Sequence, residues 1–333
     1  MLRFLATRLA QFPLILAIIY LVTFLLAWVA PGDPFSAQSE RNDPERVAAL
    51  KEKYNVTSSG DFLTTYPLKM LRGEFGPSFS RPGTTVNEII KNALPVSLAV
   101  GTLAIIFATF AGVGIGTLAS VRRGGVIDFA SLTIALIGVS LPSFVVAATL
   151  LSGFAYNAGL FPLGGWPTSE GRGFANLDAY DSALPWLAAT FDYLGYMILP
   201  AAALSLLPMA YITRLTRVSM IDVLGNDYVR TARAKGVSRI KVIFKHGLRN
   251  GLLPVLSFLG PATANVMVGS FVVEKIFQLP GLGTFFIESV QARDQTMILG
   301  TVMVYSVLLL SLNLAVDVLY SVVDPRISVG GAA

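Results

Sequence analysis

The 333-residue chain carries few side chains suited to catalysis. Histidine occurs once, at His246, and cysteine not at all. Thiol nucleophiles, disulfides, cysteine-ligated zinc and iron–sulfur clusters are excluded, and no histidine pair can hold a metal. The glycine run GVGIG at 112–116 lacks the Lys-Ser/Thr of a phosphate loop. It reads instead as small residues that let helices pack closely. Long apolar stretches contain no ionisable group near their middle; Asp128 and Asp317 fall near the ends. A proton-coupled transporter needs a titratable relay in that position, and a membrane-embedded protease needs paired aspartates or a Ser/His arrangement. The residues therefore predict a chain that is not itself an enzyme.

Two polar segments have interpretable spacing. The first, about 214–250, reads RLTRVSMIDVLGNDYVRTARAKGVSRIKVIFKHGLRN. Asn226 or Asp227 can cap a short helix from Tyr228 to Lys235. Gly236 can end it in the left-handed conformation that other residues avoid. Ser238 can cap a second helix. At 3.6-residue spacing Ile240, Ile243, Phe244, Gly247 and Leu248 share one face, and Lys241, Lys245 and Arg249 another. Such a helix pair at a membrane surface serves equally to touch anionic lipid or to meet a soluble partner. The second segment, about 274–296, begins at Glu274. Its turn, Pro280-Gly281-Leu282-Gly283, feeds an apolar run with Phe285 and Phe286. A turn feeding a short apolar helix just after a span predicts a re-entrant lid. Glu274 would then brace the lid or recognise an amino group, and the brace is the preferred reading.

The elements that position these segments are apolar. Hydrophobic residues make up 54% of the chain and charged residues 14%, against about 25% charged in a soluble domain. Mean hydropathy is +0.66. Six stretches, approximately 10–30, 93–120, 129–155, 194–213, 251–273 and 297–322, each reach the roughly 20 residues needed to cross a bilayer. The first is too long for a signal peptide, and Trp28 stands where a small residue is required for cleavage. Pro142, Pro200, Pro208 and Pro261 interrupt the stretches, and packing kinks are the expected consequence.

Charge sets the expected orientation. With a cytoplasmic N-terminus, the inside segments hold fourteen basic and five acidic residues, or +9, and the outside segments sum to −4. Nine of the fourteen lie in 214–250. The positive-inside rule therefore places both termini and this loop in the cytoplasm. Three segments face outward: about 31–92, with a predicted helix over PERVAALKEKYNV on Val47, Leu50 and Tyr54; about 156–193; and about 274–296. The expected organisation is 1–92 (first span and polar segment), 93–327 (a five-span core) and a tail, 328–333.

The block YVRTARAKGVSRIKVIFKHGLRNGLLPV resembles the cytoplasmic coupling loop of ABC-transporter permeases, and more narrowly the peptide-importer family (dipeptide/oligopeptide/nickel), first membrane subunit. The family's loop opens Glu-Ala-Ala with a glycine four residues after the second alanine. Here those positions read Arg230, Thr231, Ala232 and Gly236, so an arginine replaces the glutamate. PGDP at 31–34, GVSLPSF at 138–144, GSFVVEKIFQLPGLGTFFIESVQARD at 269–294 and NLAVDVLYSVVDPRI at 313–327 extend the resemblance along nearly the whole chain. It implies an all-α membrane protein of six helices with the type I importer permease fold, in a prokaryotic inner membrane. It also implies a homologous second permease subunit, two cytoplasmic ATPase subunits that bind ATP and Mg, an extracytoplasmic solute-binding protein and a peptide substrate. This chain itself would hold no cofactor. ATPase docking is carried over to Tyr228, Arg230, Thr231, Ala232, Ala234, Lys235 and Gly236, with the two alanines allowing close approach. The outer gate falls on Glu274, Pro280, Gly281, Gly283, Phe285 and Phe286. Alternative cargoes are nickel, which the absence of a His or Met cluster disfavours, or an oligosaccharide. A stand-alone secondary transporter lacks the charges it would need.

Overall fold

The computed structural model describes residues 2–29, 59–174 and 176–323. The predicted helix over PERVAALKEKYNV and the tail lie outside the described residues. Among those residues the regular structure is helical, beside one isolated bridge between Pro77 and Thr85. The chain forms two compact units. One comprises residues 1–97 and 280–311; the other comprises 98–279 and 312–333.

The first unit holds α1 (Leu2–Val29), α2 (Ser59–Leu71), the start of α3 (Val86–Val121), a short helix Leu282–Ala292 and most of the last helix, Gln295–Val323. Helix α1 leaves Leu14, Ile18, Leu25 and Leu26 exposed, as a lipid-facing helix requires. Tyr20 and Phe24 turn inward to meet Tyr66, Phe79 and Leu299. A polar knot lies beside this core. Asp294 is fully buried, and its carboxylate accepts from Ser78 Oγ (2.5 Å), Ser80 N–H (3.0 Å), Ser80 Oγ (2.8 Å) and Met297 N–H (3.0 Å). The last bond caps the final helix. The others fasten the segment before α3 to that cap.

The second unit contains α4 (Val126–Ser140), α5 (Ser143–Leu150) with a π-turn to Asn157, α6 (Pro185–Gly225), α7 (Asp227–Ala234), α8 (Arg239–Lys241), π-turns Val242–Leu248, α9 (Arg249–Gly251) and α10 (Leu253–Ile276). The helices Leu282–Ala292 and Gln295–Val323 are α11 and α12. Helix α6, 41 residues long, extends about 60 Å. It outruns the predicted stretch 194–213 at both ends and keeps Pro200 and Pro208 inside an unbroken helix. Gly112 and Gly116 of α3 meet it closely. A Cβ at Gly116 would fall 2.5 Å from the Thr213 carbonyl, and one at Gly112 2.8 Å from Ile212 Cγ2. The close-packing reading of GVGIG holds.

The third predicted stretch, 129–155, departs from expectation. Leu141, restricted by the following proline, is extended at φ −90°, ψ 124°. The segments Val126–Ser140 and Ser143–Asn157 then meet at 104°, far beyond a packing kink. The segment is a broken span or a re-entrant loop. Residues Leu253–Ile276 also bend, by 44° after Met267. Among the described residues, four helices are long and apolar enough to cross a membrane unbroken, and the number of crossings is up to six if each bent pair counts as one.

Candidate functional site

The basic loop starts where α6 ends. Asn226 turns the chain at φ −72°, ψ 151°, and α7 follows. The expected side-chain cap from Asn226 or Asp227 is not made, nor is the one from Ser238. Asp227 instead pairs with Arg230 at 3.4 Å on the exposed surface. The C-terminal end is built as anticipated. Gly236 stands at φ +77°. Its N–H donates to the Arg233 carbonyl at 3.0 Å, and the Val237 N–H to the Ala232 carbonyl at 3.2 Å. This pair of bonds is a Schellman closure, which satisfies carbonyls the helix leaves open.

The second half corrects the expected faces. Residues 242–248 are π-helical, so the turn is wider and residues four and five apart align instead of three and four. Val242 and Gly247 are buried, while Ile240 and Phe244 are exposed. Gly247 and Gly251 form a notch for Met220 of α6, which is fully buried. A Cβ at Gly247 would lie 2.9 Å from Met220 Cε, and one at Gly251 2.8 Å from its Sδ. Tyr228 joins the two halves: its hydroxyl donates to the His246 carbonyl at 3.2 Å and accepts from Asn250 Nδ2 at 3.0 Å. The loop is thus a closed two-helix unit seated on the end of α6. Tyr228, Arg230, Thr231, Ala234, Lys235 and Gly236 are exposed on it. Ala232 is buried at 7% exposure and packs inward, so it is not on the outer surface with Ala234.

Arg217 does not belong to the exposed positive charge. It reaches from α6 to Asp128 of α4, pairing through Nε and, at 2.8 Å, through Nη2. Asp128 also accepts the Gly124 N–H at 2.9 Å. The partners are 89 residues apart, and no local pattern announces the pair.

The segment 274–296 divides between the two units. In the second unit, Glu274 is fully buried near the end of α10. Its carbonyl accepts the Leu279 N–H at 2.9 Å, and Gln278 holds φ +51°. In the first unit, Gly281 and Gly283 are buried, and Phe285 and Phe286 are half-buried on α11. The Leu282 N–H donates to Ser97 Oγ of α3 at 2.8 Å. Arg81 stacks 4.4 Å over the Phe285 ring and bonds Glu288 at 2.5 Å. The helix ends at Arg293, φ +59°, with the Asp294 N–H closing on the Ser289 carbonyl at 2.9 Å. A cavity of about 220 Å³ lies here, lined by Ser78, Ser80, Arg81, Glu288 and Met297 among others.

The segment 156–193, which the sequence left without a role, packs against α6. Tyr193 of α6 stacks on Phe174 and meets Trp166 edge-on, both at 5.2 Å. Glu170 accepts from Tyr196 at 2.7 Å and pairs with Arg172. These two neighbours hold the Glu170 carboxyl below its ordinary range. Tyr180 donates to Asp192 at 2.8 Å. The aromatic residues of this segment find their partner on α6, which spacing in the sequence does not name.

Residues 112–329 match the family model described as binding-protein-dependent transport system inner membrane component. The dipeptide transport system permease protein DppB of Bacillus subtilis is 39% identical over 329 residues, covering 98% of both chains. The oligopeptide transport system permease proteins OppB of Haemophilus influenzae and Escherichia coli are 36% and 37% identical, each over 98% of this chain and 99% of theirs. Among solved structures, a chain of the MetNI methionine ABC transporter, in inward-facing conformations, superposes with a TM-score of 0.50 at 15% identity. It covers 71% of this chain and 96% of that one, a likeness of fold. A helical architecture with long apolar spans, a basic two-helix loop locked to one of them and full-length identity above 30% agree: the chain belongs to the family of binding-protein-dependent transport system inner membrane components, among its peptide permeases.

Proposed function

We propose that this chain forms half of the translocation pathway of an ATP-driven importer of dipeptides or oligopeptides, with both termini cytoplasmic. A second, homologous permease would supply the other half. Two ATPases would bind ATP and Mg below, and a solute-binding protein would deliver peptide above. The observation that carries the reading is the seating of the loop: Met220 in the notch of Gly247 and Gly251, with Tyr228 pinned to the second helical run. A lever must be stiff within itself and firmly joined to what it moves, or the motion dissipates in local rearrangement. Here the surface offered to an ATPase groove is Tyr228, Arg230, Thr231, Ala234, Lys235 and Gly236, and movement imposed there passes to α6 through Met220. Ala232 contributes from the inner side by packing α7 onto the rest of the loop. The outer gate is assigned to Glu274, Pro280, Gly281, Gly283, Phe285 and Phe286, with Glu274 as a brace buried in α10.

The chain has no cysteine, which makes the test direct. A Thr231→Cys variant in the full transporter should cross-link to an ATPase subunit under mild oxidation when that subunit carries a cysteine in its groove. Vesicles holding the complex should take up peptide only with ATP inside. ATP-driven uptake with no cross-link from any exposed α7 position would overturn the docking assignment.

A further inference from the structure

The loop's second helical run has a face that the docking of α7 leaves unused. Ile240 is 70% exposed and Phe244 63%. Beside them stand Lys241, Lys245 and Arg249, all exposed and in no ion pair among the described residues. With Val242 and Gly247 buried in the π-turns, Ile240 and Phe244 stand outward, next to the cations. The position of the run is fixed at both ends. Gly247 and Gly251 seat on Met220, within the last two turns of α6, and α10 begins two residues after Gly251. Helix α6 is long and apolar enough to cross a membrane, and α10 is so when its two bent halves count as one crossing. A run tied so closely to two span ends lies at the level of the lipid headgroups. There, large apolar side chains next to basic ones have the pattern of an interfacial helix.

We infer that the run Arg239–Gly251 lies in the headgroup layer and binds anionic phospholipid, Ile240 and Phe244 entering the acyl boundary while Lys241, Lys245 and Arg249 hold the phosphates. The loop is then divided: α7 faces a protein, and the run after Gly236 faces lipid. Anionic lipid would steady the base of the lever without occupying its docking surface. The inference rests on the membrane crossing of α6 and α10 and not on the binding of ATPases to α7. Three cations near a surface enrich anionic over neutral lipid on the order of 100-fold.

The full chain, free of cysteine, is labelled with a small fluorophore at Phe244→Cys or, for comparison, Arg230→Cys. It is reconstituted into vesicles of phosphatidylcholine alone or phosphatidylcholine with phosphatidylglycerol, the latter brominated on its acyl chains as a quencher. The label at 244 should be strongly quenched by brominated phosphatidylglycerol and the label at 230 weakly. Replacing Lys241, Lys245 and Arg249 together by glutamine should bring quenching at 244 down to the level at 230. These are surface positions, and equal labelling yield of the inserted protein confirms that the variant folds. Equal quenching at 244 and 230 would overturn the inference. So would quenching that the triple variant leaves unchanged, or a label at 244 shielded only when ATPase subunits are added, which would give this face to a protein.

Discussion

Two short helices flank long spans in this chain, one in the basic loop and one in the segment 274–296, and their turns are closed by the same hydrogen bonds with different residues. In the loop, α7 ends at Gly236, φ +77°. In the other segment, α10 ends at Gln278, φ +51°, and α11 at Arg293, φ +59°. Each closes a six-to-one bond: Val237 to Ala232, Leu279 to Glu274, Asp294 to Ser289. Glycine adopts the left-handed conformation without steric cost, whereas other residues lose about 1 kcal/mol or more. The loop turn therefore stands by local preference. The turns around α11 persist because surrounding contacts determine them: the buried Asp294 carboxylate just after Arg293, and the buried Leu279 and Glu274 around Gln278. The basic loop closes on a residue suited to its turn, and the segment 274–296 holds a helix fixed by its surroundings.

The largest effect should come from removing those surroundings. Asp294→Ala leaves the buried Ser78 hydroxyl and Met297 N–H and the part-buried Ser80 N–H without their acceptor, and should destabilise the detergent-solubilised protein by about 3–5 kcal/mol. Thermal unfolding measures this, and a loss below 1 kcal/mol would mean the knot does not hold α11 and α12 in place. On the loop side, Met220→Ala empties the notch of Gly247 and Gly251 and should cost about 2–4 kcal/mol. Limited proteolysis should then cut between 226 and 251 while the spans stay protected. Unchanged protection of the loop would show that Met220 does not seat it.

The turns themselves give the sharpest contrast, because the signs differ. Gly236→Ala should destabilise by about 1 kcal/mol, whereas Gln278→Gly should stabilise by up to about 1 kcal/mol, its exposed side chain having nothing to lose. If both changes destabilise, the distinction between the two regions fails. The smallest effect is electrostatic. Tyr196 and Arg172 lower the Glu170 pKa, so its contribution is complete above the ordinary carboxylate value and fades as pH falls through the lowered one. Glu170→Gln should remove that acid-side component from the pH dependence of stability.

What could be read from the sequence follows the same division. Gly236 announces its turn, since few residues suit the left-handed region, and the charge of the loop announces itself by clustering. Gln278 and Arg293 announce nothing, because their conformations come from contacts distant in sequence. The 104° break at Pro142 was visible as a proline but not as a reversal, since the angle depends on packing and not on the residue. The π-turns misled the face assignment, because a periodicity of 3.6 cannot register a local lengthening of the turn. Arg217 counted as loop charge until Asp128, 89 residues away, claimed it. The resemblance in YVRTARAKGVSRIKVIFKHGLRNGLLPV points to the family, yet does not distinguish Ala232, which packs inward, from the exposed Ala234.

The central claim is that the loop transmits ATPase motion to the spans, and Gly236→Pro tests it most directly. Proline fixes φ near −65° and removes the N–H that bonds Arg233, so the turn cannot form, while no span is touched. In vesicles containing the complete importer, ATP-driven peptide uptake should vanish although the variant inserts and assembles normally. Uptake at the wild-type rate would contradict the account.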